Sequence, residues 1–374
     1  MLKVIFTLDY EIHGNGEGSP YELMIEPTAR LLRLFDQHGA KLTIMADIAE
    51  ILRFKEYAEH GPEDKFRYRD IVAQLQDAVA RGHDVQLHLH SSYFNAAFDG
   101  RRWVQDWSEY NFAGLGLERM TGMVRQGRDF LESILRPVKA GYRCLAFRAA
   151  NWSVSPARNV VKALLDNGIT IDTSIFKYGR RAGLVAFDYS GAYSEFVPWP
   201  ADEEDLCLKD QRSRLWEFPI YSEKRWIGAF LTANRAYRLA QGARHRLASP
   251  PSDVASSQPA GPARPPGLAR RLSFFVKRQA WKADFNQCTG GQLIRALHRA
   301  ERKSLGILDD LPFVLIGHSK IFNRWNEHSL RPFLQHVTRH PQRFGFATFD
   351  CFQGKIDCEN VVPVETSPYC CGRP

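Results

Sequence analysis

Apolar runs typical of buried β-strands alternate with amphipathic stretches typical of α-helices over the first half of the chain. The predicted strands are 2–10, 41–47, 85–91, 144–151 and 169–176, and the predicted helices between them are 24–40, 67–84, 117–135 and 157–168. Later apolar runs predict three more strands, at 214–221, 313–319 and 344–352. A repeated strand–helix order favours parallel strands joined by helical crossovers. We therefore predict an α/β fold, in which one closed or nearly closed barrel spans residues 1–374 as a single domain.

One stretch interrupts this alternation. Residues 247–271 are rich in Pro, Ser, Ala and Gly, and the wider region 235–285 is predicted to be a partly disordered insertion within the barrel domain. Within that region, 270–282 is basic with an apolar centre. Two interpretations stay open: an interfacial helix that makes peripheral contact with a membrane, or a helix that packs inward. The short length favours inward packing, through Leu272, Phe275 and Val276.

The charge and the cysteines narrow the functional classes. The chain carries a net charge of +8, which could favour nucleic acid, anionic lipid or anionic glycan. Because the positive charge is concentrated around 235–282 and no nucleic-acid-binding motif is recognisable, we expect no nucleic-acid partner. The start of the chain does not resemble a signal peptide, and no apolar run approaches the ~20 residues of a spanning helix. The seven cysteines are odd in number and contain no C-x-x-C pair, which predicts reduced thiols in a cytoplasmic protein.

Polar side chains end the predicted strands. Asp9 and Glu11 lie two residues apart at the end of the first strand, so they point to the same side. His88 and His90 have the same spacing in the apolar run "VQLHLHS". Other strands end in Arg148, Asp172, Ser174, Glu217 and His318. Because the carboxyl ends of parallel barrel strands converge on one mouth, we expect these groups to lie close together.

Such a set suits metal-assisted hydrolysis of an amide or ester. A carboxylate and two imidazoles make a three-ligand site with open positions, as catalytic Zn²⁺ requires, and another divalent transition metal could take its place. The second carboxylate could accept a proton from water, and a histidine could protonate a leaving group. Alternatives stay open for single residues. Arg148 could pair with Glu217 or Asp172, and His13 competes with Glu11 as a ligand.

Four segments resemble motifs of the polysaccharide deacetylase family, the NodB-homology or carbohydrate esterase family 4 group. They are "FTLDYE", "GHDVQLHLHSS", "FRAANWS" and "VLIGHS", in the family's order, and the resemblance covers residues 1–350 except 235–285. The family's fold is a distorted (β/α) barrel of about seven parallel strands. "TLDYEIHGNG", "DVQLHLH" and "GHSK" together resemble a branch associated with bacterial surface-polysaccharide clusters, the WbmS-like proteins.

The resemblance assigns roles to individual residues. It implies that Asp9 is the base, Glu11 the acidic metal ligand, His88 the first metal histidine, Arg148 the residue that orients Asp9, and His318 the acid.

The chain also departs from the family pattern. Glu11 comes one residue later than the usual acidic ligand, and Ser92 stands where the family has its second metal histidine, so His90 must substitute. Ala150 replaces a proline of the third motif, and the fourth motif is not clear; Asp172, Trp152, Trp199 and Trp216 are candidates for its parts.

The function predicted from the sequence is therefore zinc-dependent removal of an N-acetyl group from a sugar. An activated or lipid-linked intermediate of surface-glycan synthesis is the expected substrate, and the protein is expected in the cytoplasm, with a peripheral place at the inner membrane as the alternative. The candidate substrate-binding residues are Trp152, Asp172, Trp199 and Glu217. Two other functions stay open: a glycan-binding or scaffold barrel without turnover, and a metal-dependent amidase on a non-sugar carbon–nitrogen bond.

Overall fold

A computed structural model describes residues 1–237, 277–307 and 309–354. Its main sheet has nine strands. They are β1 (Leu2–Tyr10), β2 (Leu42–Asp47), β3 (Asp84–Leu89), β4 (Ala146–Ala149), β5 (Ile171–Asp172), β6 (Trp199–Pro200), β7 (Trp216–Glu217), β8 (Leu311–His318) and β9 (Phe344–Phe346). Three separate strand pairs join Ala97–Phe98 to Trp103–Val104, Arg180–Arg181 to Phe187–Asp188, and Ser222–Arg225 to Gln279–Lys282.

Helices connect the strands. The α-helices are α1 (Glu26–Asp36), α2 (Ile48–His60), α3 (Tyr68–Ala80), α4 (Leu117–Leu135), α5 (Arg158–Leu165), α6 (Gly290–Lys303) and α7 (Arg324–Arg339). A π-helical turn, Tyr21–Ile25, precedes α1. Short 3-10 turns lie at Ser91–Tyr93, Trp107–Glu109, Phe112–Gly114, Ala150–Trp152, Ile227–Phe230, Ser319–Ile321 and Phe349–Phe352.

The sheet is parallel except at one edge. The strand order is β6–β7–β5–β4–β3–β2–β1–β8, with β9 also paired to β1, and only the β6–β7 pair is antiparallel. The sheet curls so that β8 comes close to the segment that follows β7. A parallel bridge between Ile220 and Val314 shows this, and a second parallel bridge joins Asp284 to Ile316 of β8. This mixed α/β architecture is compatible with a distorted (β/α) barrel. The strand number of about seven is not confirmed, since eight strands of the described residues take part in parallel pairs.

Alternation along β1 separates two apolar layers. Val4, Phe6 and Leu8 belong to the cluster that packs against the surrounding helices. Ile5 belongs to a second cluster, which it forms with the inward residues of the other strands. Because side chains two residues apart share a face, the residues that follow Ile5 on this side are Thr7, Asp9 and Glu11. The strand therefore has an apolar lower half inside the barrel and a polar upper end.

The predicted strands all occur, but several are shorter than predicted. The runs 169–176 and 214–221 each contain only two strand residues, those of β5 and β7. Helix α4 coincides with its predicted bounds. Helices α2, α6 and α7 were not predicted. In α2 the helical pattern starts directly after β2, with no turn signal between them, which hides the boundary in the sequence.

The predicted insertion lies only partly within the described residues. Residues 238–276, and with them Leu272, Phe275 and Val276, fall outside, as does the 370–371 cysteine pair. At the far end of the region, Gln279–Lys282 is a strand paired to Ser222–Arg225. These last residues of 270–282 are therefore not helical, contrary to both interpretations of that segment. Trp281 and Phe285 are buried, so the packed structure already includes the last residues of the 235–285 region. No helix among the described residues is long and apolar enough to span a membrane.

Close packing around the end of β8 yields a first prediction. A Cβ on Gly317 would lie 2.1 Å from the Cζ atom of Phe285, whose buried ring also contacts Phe6 at 5.7 Å between centroids. We expect Gly317→Ala to lower the free energy of unfolding by about 1–3 kcal/mol, because the added methyl group would clash with a buried ring. Chemical denaturation measures this. Gly141→Ala is the control, since a Cβ there meets nothing within 4 Å. Equal unfolding free energies for the two variants would contradict the packing argument.

Candidate metal centre and catalytic residues

Strand register brings the predicted base, its arginine and the predicted acid together. Asp9 is the parallel partner of His318 across β1 and β8, and His88 is the partner of Arg148 across β3 and β4. The Nη1 group of Arg148 donates to Oδ1 of Asp9 at 2.7 Å. The other carboxylate oxygen, Oδ2, lies 3.5 Å from Nε2 of His318. The carboxylate of Asp9 thus lies between a fixed cation and an imidazole.

Arg148 is completely buried, and its guanidinium has several fixed partners. Nη1 also donates to Oγ1 of Thr7 at 2.8 Å, and Nε donates to the carbonyl oxygen of Thr173 at 3.0 Å. Nη2 donates to Oγ1 of Thr173 at 3.3 Å. The carboxylate paired with Arg148 is therefore Asp9, neither Glu217 nor Asp172. Burial alone would raise the pKa of Asp9, but the Arg148 guanidinium, followed by His318 and His88, holds that pKa below its ordinary value. Asp9 is ionised at neutral pH.

Glu11, His88 and His90 form a group whose ligand atoms all lie within 4.8 Å of one another. Oε2 of Glu11 is 3.3 Å from Nε2 of His88 and 3.2 Å from Nδ1 of His90. The Glu11–His88 separation matches the roughly 3.3 Å between donor atoms on a tetrahedral Zn²⁺ ion, given Zn–N and Zn–O bonds near 2.0–2.1 Å. His88 also has the required tautomer, because its Nδ1 donates to the carbonyl oxygen of Arg148 at 2.8 Å and Nε2 faces Glu11. These residues fit a divalent transition metal.

Neither His13, the competing ligand, nor Ser92, at the family's usual histidine position, belongs to a candidate metal-ligand group found among the described residues. Ser92 donates its hydroxyl to Oε1 of Gln105 at 2.8 Å, so the side chain at the family's usual second histidine position is already engaged.

Three charged residues at this site were not predicted. The ammonium of Lys320 lies 2.7 Å from Oε1 of Glu11, which leaves Oε2 as the oxygen that faces the histidines. Asp47 and Glu50 form a second group of candidate ligands with His90. Asp47 ends β2, so the strand-end criterion that found the other acids could have found it. Glu50 lies in the first turn of α2, and no sequence signal marks it.

The charged groups of the site shift one another's pKa values. Burial would raise the pKa of Glu11, but Lys320, His90 and His88 hold it well below the ordinary range. Burial would lower the pKa of His88, but its hydrogen bond to Glu11 and the charge of Asp9 raise it to about 9. Burial, followed by the charge of Asp47, raises the pKa of Glu50 well above its ordinary value. Before a metal binds, His88 is therefore an imidazolium at pH 7.

A cavity of about 260 Å³ is lined by the charged and imidazole side chains of Asp9, Glu11, His88, His90, His318 and Lys320. Beyond the charged residues, its lining includes Trp152, Asn151, Tyr110 and Arg181. Asn151 and Trp152 both have positive φ angles, 57° and 59°, in the turn after β4, a conformation that costs energy for residues other than glycine. Arg181 donates to Oδ1 of Asn151 at 2.9 Å. The strained turn thus places an aromatic ring and an anchored guanidinium at the mouth of the site.

One of the four predicted substrate-binding residues reaches this cavity. Trp152 lines it, and Nζ of Lys282 lies 3.3 Å from the centre of the Trp152 ring. Burial lowers the pKa of Lys282 to about 8. The structure does not bring the other three residues there. Trp199 is fully buried and donates to the carbonyl oxygen of Leu206, while Asp172 accepts from Ser174 and Glu217 accepts from the backbone of Ile175.

Similar folds occur among solved structures. No protein-family model and no curated protein matches the sequence. The 4-alpha-glucanotransferase from Thermococcus litoralis has 14% identity and a TM-score of 0.50, over 95% of this chain and 41% of that one. A structure titled "putative polysaccharide deacetylase from Mycobacterium smegmatis" has 13% identity and a TM-score of 0.47, and the match covers 98% of this chain and 94% of that one. A "probable polysaccharide deacetylase from Pseudomonas aeruginosa PAO1" has 12% identity and a TM-score of 0.45, and the match covers 96% of this chain and 89% of that one.

The glucanotransferase similarity bears on the fold alone. At 14% identity, and with this chain spanning 41% of its length, it does not transfer an activity. The function must therefore be argued from the residues of the site.

The raised pKa of His88 predicts how metal affinity depends on pH. Below a pKa of about 9 the ring carries a second proton, which a metal must displace. We expect Zn²⁺ affinity to rise between pH 6.5 and 8.5, by up to about tenfold per unit, with release of about one proton per ion. Calorimetry in buffers of different ionisation enthalpy measures both. His83→Gln, which replaces a buried histidine at the opposite end of β3, should keep this dependence. A pH-independent affinity would contradict the assignment of His88 as a ligand.

Proposed function

We propose that the protein is a metal-dependent hydrolase that removes the N-acetyl group from a sugar. One observation carries this proposal: an ionised Asp9, held by a buried Arg148 and facing His318, lies beside the Glu11, His88 and His90 donors. A base, an acid and a metal-ligand set thus share one cavity. Amide hydrolysis needs these three functions, and a pure binding site needs none of them.

The chain's own residues account for the proton transfers. A divalent ion held by Glu11, His88 and His90 would supply Lewis acidity for an acetyl carbonyl and a water molecule. Asp9 removes a proton from the attacking water, since its lowered pKa keeps it ionised. Arg148 occupies Oδ1, so the carboxylate cannot rotate away. Oδ2 remains for the water.

His318 is the proposed acid. Burial lowers its pKa, so the ring is neutral before the reaction. Nε2 lies 3.5 Å from Oδ2 of Asp9, which is close enough for the proton taken from water to reach the imidazole after a small movement. His318 then protonates the departing amine. Such a relay uses one proton throughout and returns both groups to their starting states.

A sugar substrate is supported by an aromatic residue in the cavity lining and by the sequence motifs. The ring of Trp152 lines the cavity and offers a flat apolar surface of the kind on which a sugar ring stacks. The motifs "TLDYEIHGNG", "DVQLHLH" and "GHSK" support a cytoplasmic intermediate of bacterial surface-polysaccharide synthesis. We take an activated or lipid-linked N-acetylated sugar as the substrate class, with the inner membrane surface as the alternative location.

A glycan-binding barrel without turnover is the second candidate. One observation favours it: the candidate acidic ligand Glu11 already pairs with the ammonium of Lys320. A metal would therefore have to compete with this contact. Metal content separates the two functions.

The direct test combines metal analysis with an acetate assay. The purified full-length protein is expected to hold about one divalent ion per chain after exposure to Zn²⁺ or Co²⁺. It should then release acetate from N-acetylated sugars faster than from simple acetamides. A protein that binds no divalent ion and releases no acetate would overturn the proposal in favour of the binding barrel. Faster hydrolysis of simple amides would replace the sugar with a non-sugar substrate.

A substitution at Asp9 separates catalysis from metal binding. Asp9→Asn keeps the shape and the contact with Arg148 but cannot accept a proton from water. We expect kcat to fall by roughly 10²–10⁴-fold while bound metal per chain is unchanged. Asp84→Asn is the control, since Asp84 is a buried carboxylate at the other end of β3 that bonds to Val85 and Gln86. If Asp9→Asn leaves kcat as high as Asp84→Asn does, Asp9 is not the base.

A further inference from the structure

The ring of His90 is held by one buried carboxylate. Oδ2 of Asp47 accepts from Nδ1 of His90 at 2.7 Å, and Oδ1 accepts from the backbone N–H of the same residue at 3.2 Å. Asp47 is fully buried at the end of β2, where its register partner on β3 is His88. Both carboxylate oxygens therefore bind one residue, and they fix its backbone and its ring together.

The contact also determines which ring nitrogen is available. A carboxylate accepts only, so the Nδ1 proton of His90 points to Asp47. Nδ1 also lies 3.2 Å from Oε2 of Glu11, but the hydrogen bond goes to Asp47, the nearer acceptor. The same arrangement holds at His88, whose Nδ1 donates to the carbonyl oxygen of Arg148. In both rings a buried oxygen occupies Nδ1 and leaves Nε2 as the nitrogen that can bind a metal.

We propose that Asp47 is the positioning residue that makes His90 a metal ligand. This inference rests on the proposed function and deepens its metal site. His90 lies just beyond the end of β3, two residues after His88. Its ring therefore needs a contact from a neighbouring element to be held in a metal-binding orientation. Asp47 provides that support from the neighbouring strand. Acceptors that hold a ligating histidine typically contribute 10–100-fold to metal affinity.

A different role for Asp47 must be separated from this one. Asp47, Glu50 and His90 also form a candidate ligand group, in which Asp47 would bind the ion itself. The contacts favour the positioning role. Nδ1 of His90 is engaged by Asp47, and Oε2 of Glu50 accepts from the backbone N–H of Ile12 at 2.9 Å, so these atoms already have partners. A residue that acts only through His90 should lose its influence when His90 is removed.

A double-mutant cycle on metal affinity tests this directly. Zn²⁺ affinity is measured on the full-length protein by competition with a chromophoric chelator, for Asp47→Ala, His90→Ala and the double variant. We expect about 10–100-fold weaker binding for Asp47→Ala and at least as large a loss for His90→Ala. The double variant should bind no more weakly than His90→Ala alone, since Asp47 acts through that ring. Asp84→Ala, which removes a buried carboxylate far from the site, should bind Zn²⁺ within threefold of the unmodified protein.

Each other outcome overturns the assignment. If Asp47→Ala binds Zn²⁺ as tightly as the unmodified protein, His90 needs no support from Asp47. If the loss of Zn²⁺ affinity in the double variant equals the product of the two single losses, Asp47 is a ligand in its own right. A loss in Glu50→Gln equal to that in Asp47→Ala would place the ion in the second group. If Asp47→Ala does not fold, Asp47→Asn replaces it in the cycle, with the same non-additivity expected. An unmodified protein that binds no Zn²⁺ overturns the proposed function as well, whereas the outcomes above overturn the role of Asp47 alone.

Discussion

The buried pair between Arg148 and Asp9 connects the fold of this protein to its chemistry. The guanidinium joins β1, through Thr7 and Asp9, to Thr173 at the end of β5, and it has no exposed surface. Removal of one partner from a buried pair typically costs about 3–5 kcal/mol, because the other charge is left without a partner. The same contact keeps Asp9 ionised. The base therefore cannot be lost without also weakening the barrel interior.

The metal-ligand group depends less on the barrel and more on contacts within the site. Glu11 lies just beyond β1, and Lys320, from the turn after β8, holds one of its oxygens. His90 lies just beyond β3 and is held by Asp47. Burial, followed by the charge of Asp47, raises the pKa of Glu50, which favours the neutral form of that carboxyl beside the other acids. The site thus combines side chains from the sheet with side chains from the turns above it.

The strand ends were predictable because two simple periodicities define them. Alternation along a strand placed Asp9 with Glu11 and His88 with His90, and parallel order placed Arg148 and His318 at the same end. The pattern does not give the length of a strand or the direction of its last side chain. Asp172 and Glu217 follow the same rule, yet they belong to two-residue strands, are fully buried and do not line the cavity. Lys320 and Glu50 reach the site only through tertiary contacts, which no local pattern records.

The strand pair Ser222–Arg225 and Gln279–Lys282 also bears on which changes the chain can tolerate. Arg225 and Gln279 are register partners, so two points far apart in the chain are held side by side. The residues that follow Arg225 are packed as well, because the side chains of Thr232 and Asn234 donate to backbone carbonyl oxygens just after the second strand. The ammonium of Lys282 lies over the ring of Trp152, which lines the cavity. A deletion within either strand would therefore remove support from the cavity wall, and variation in chain length is constrained here.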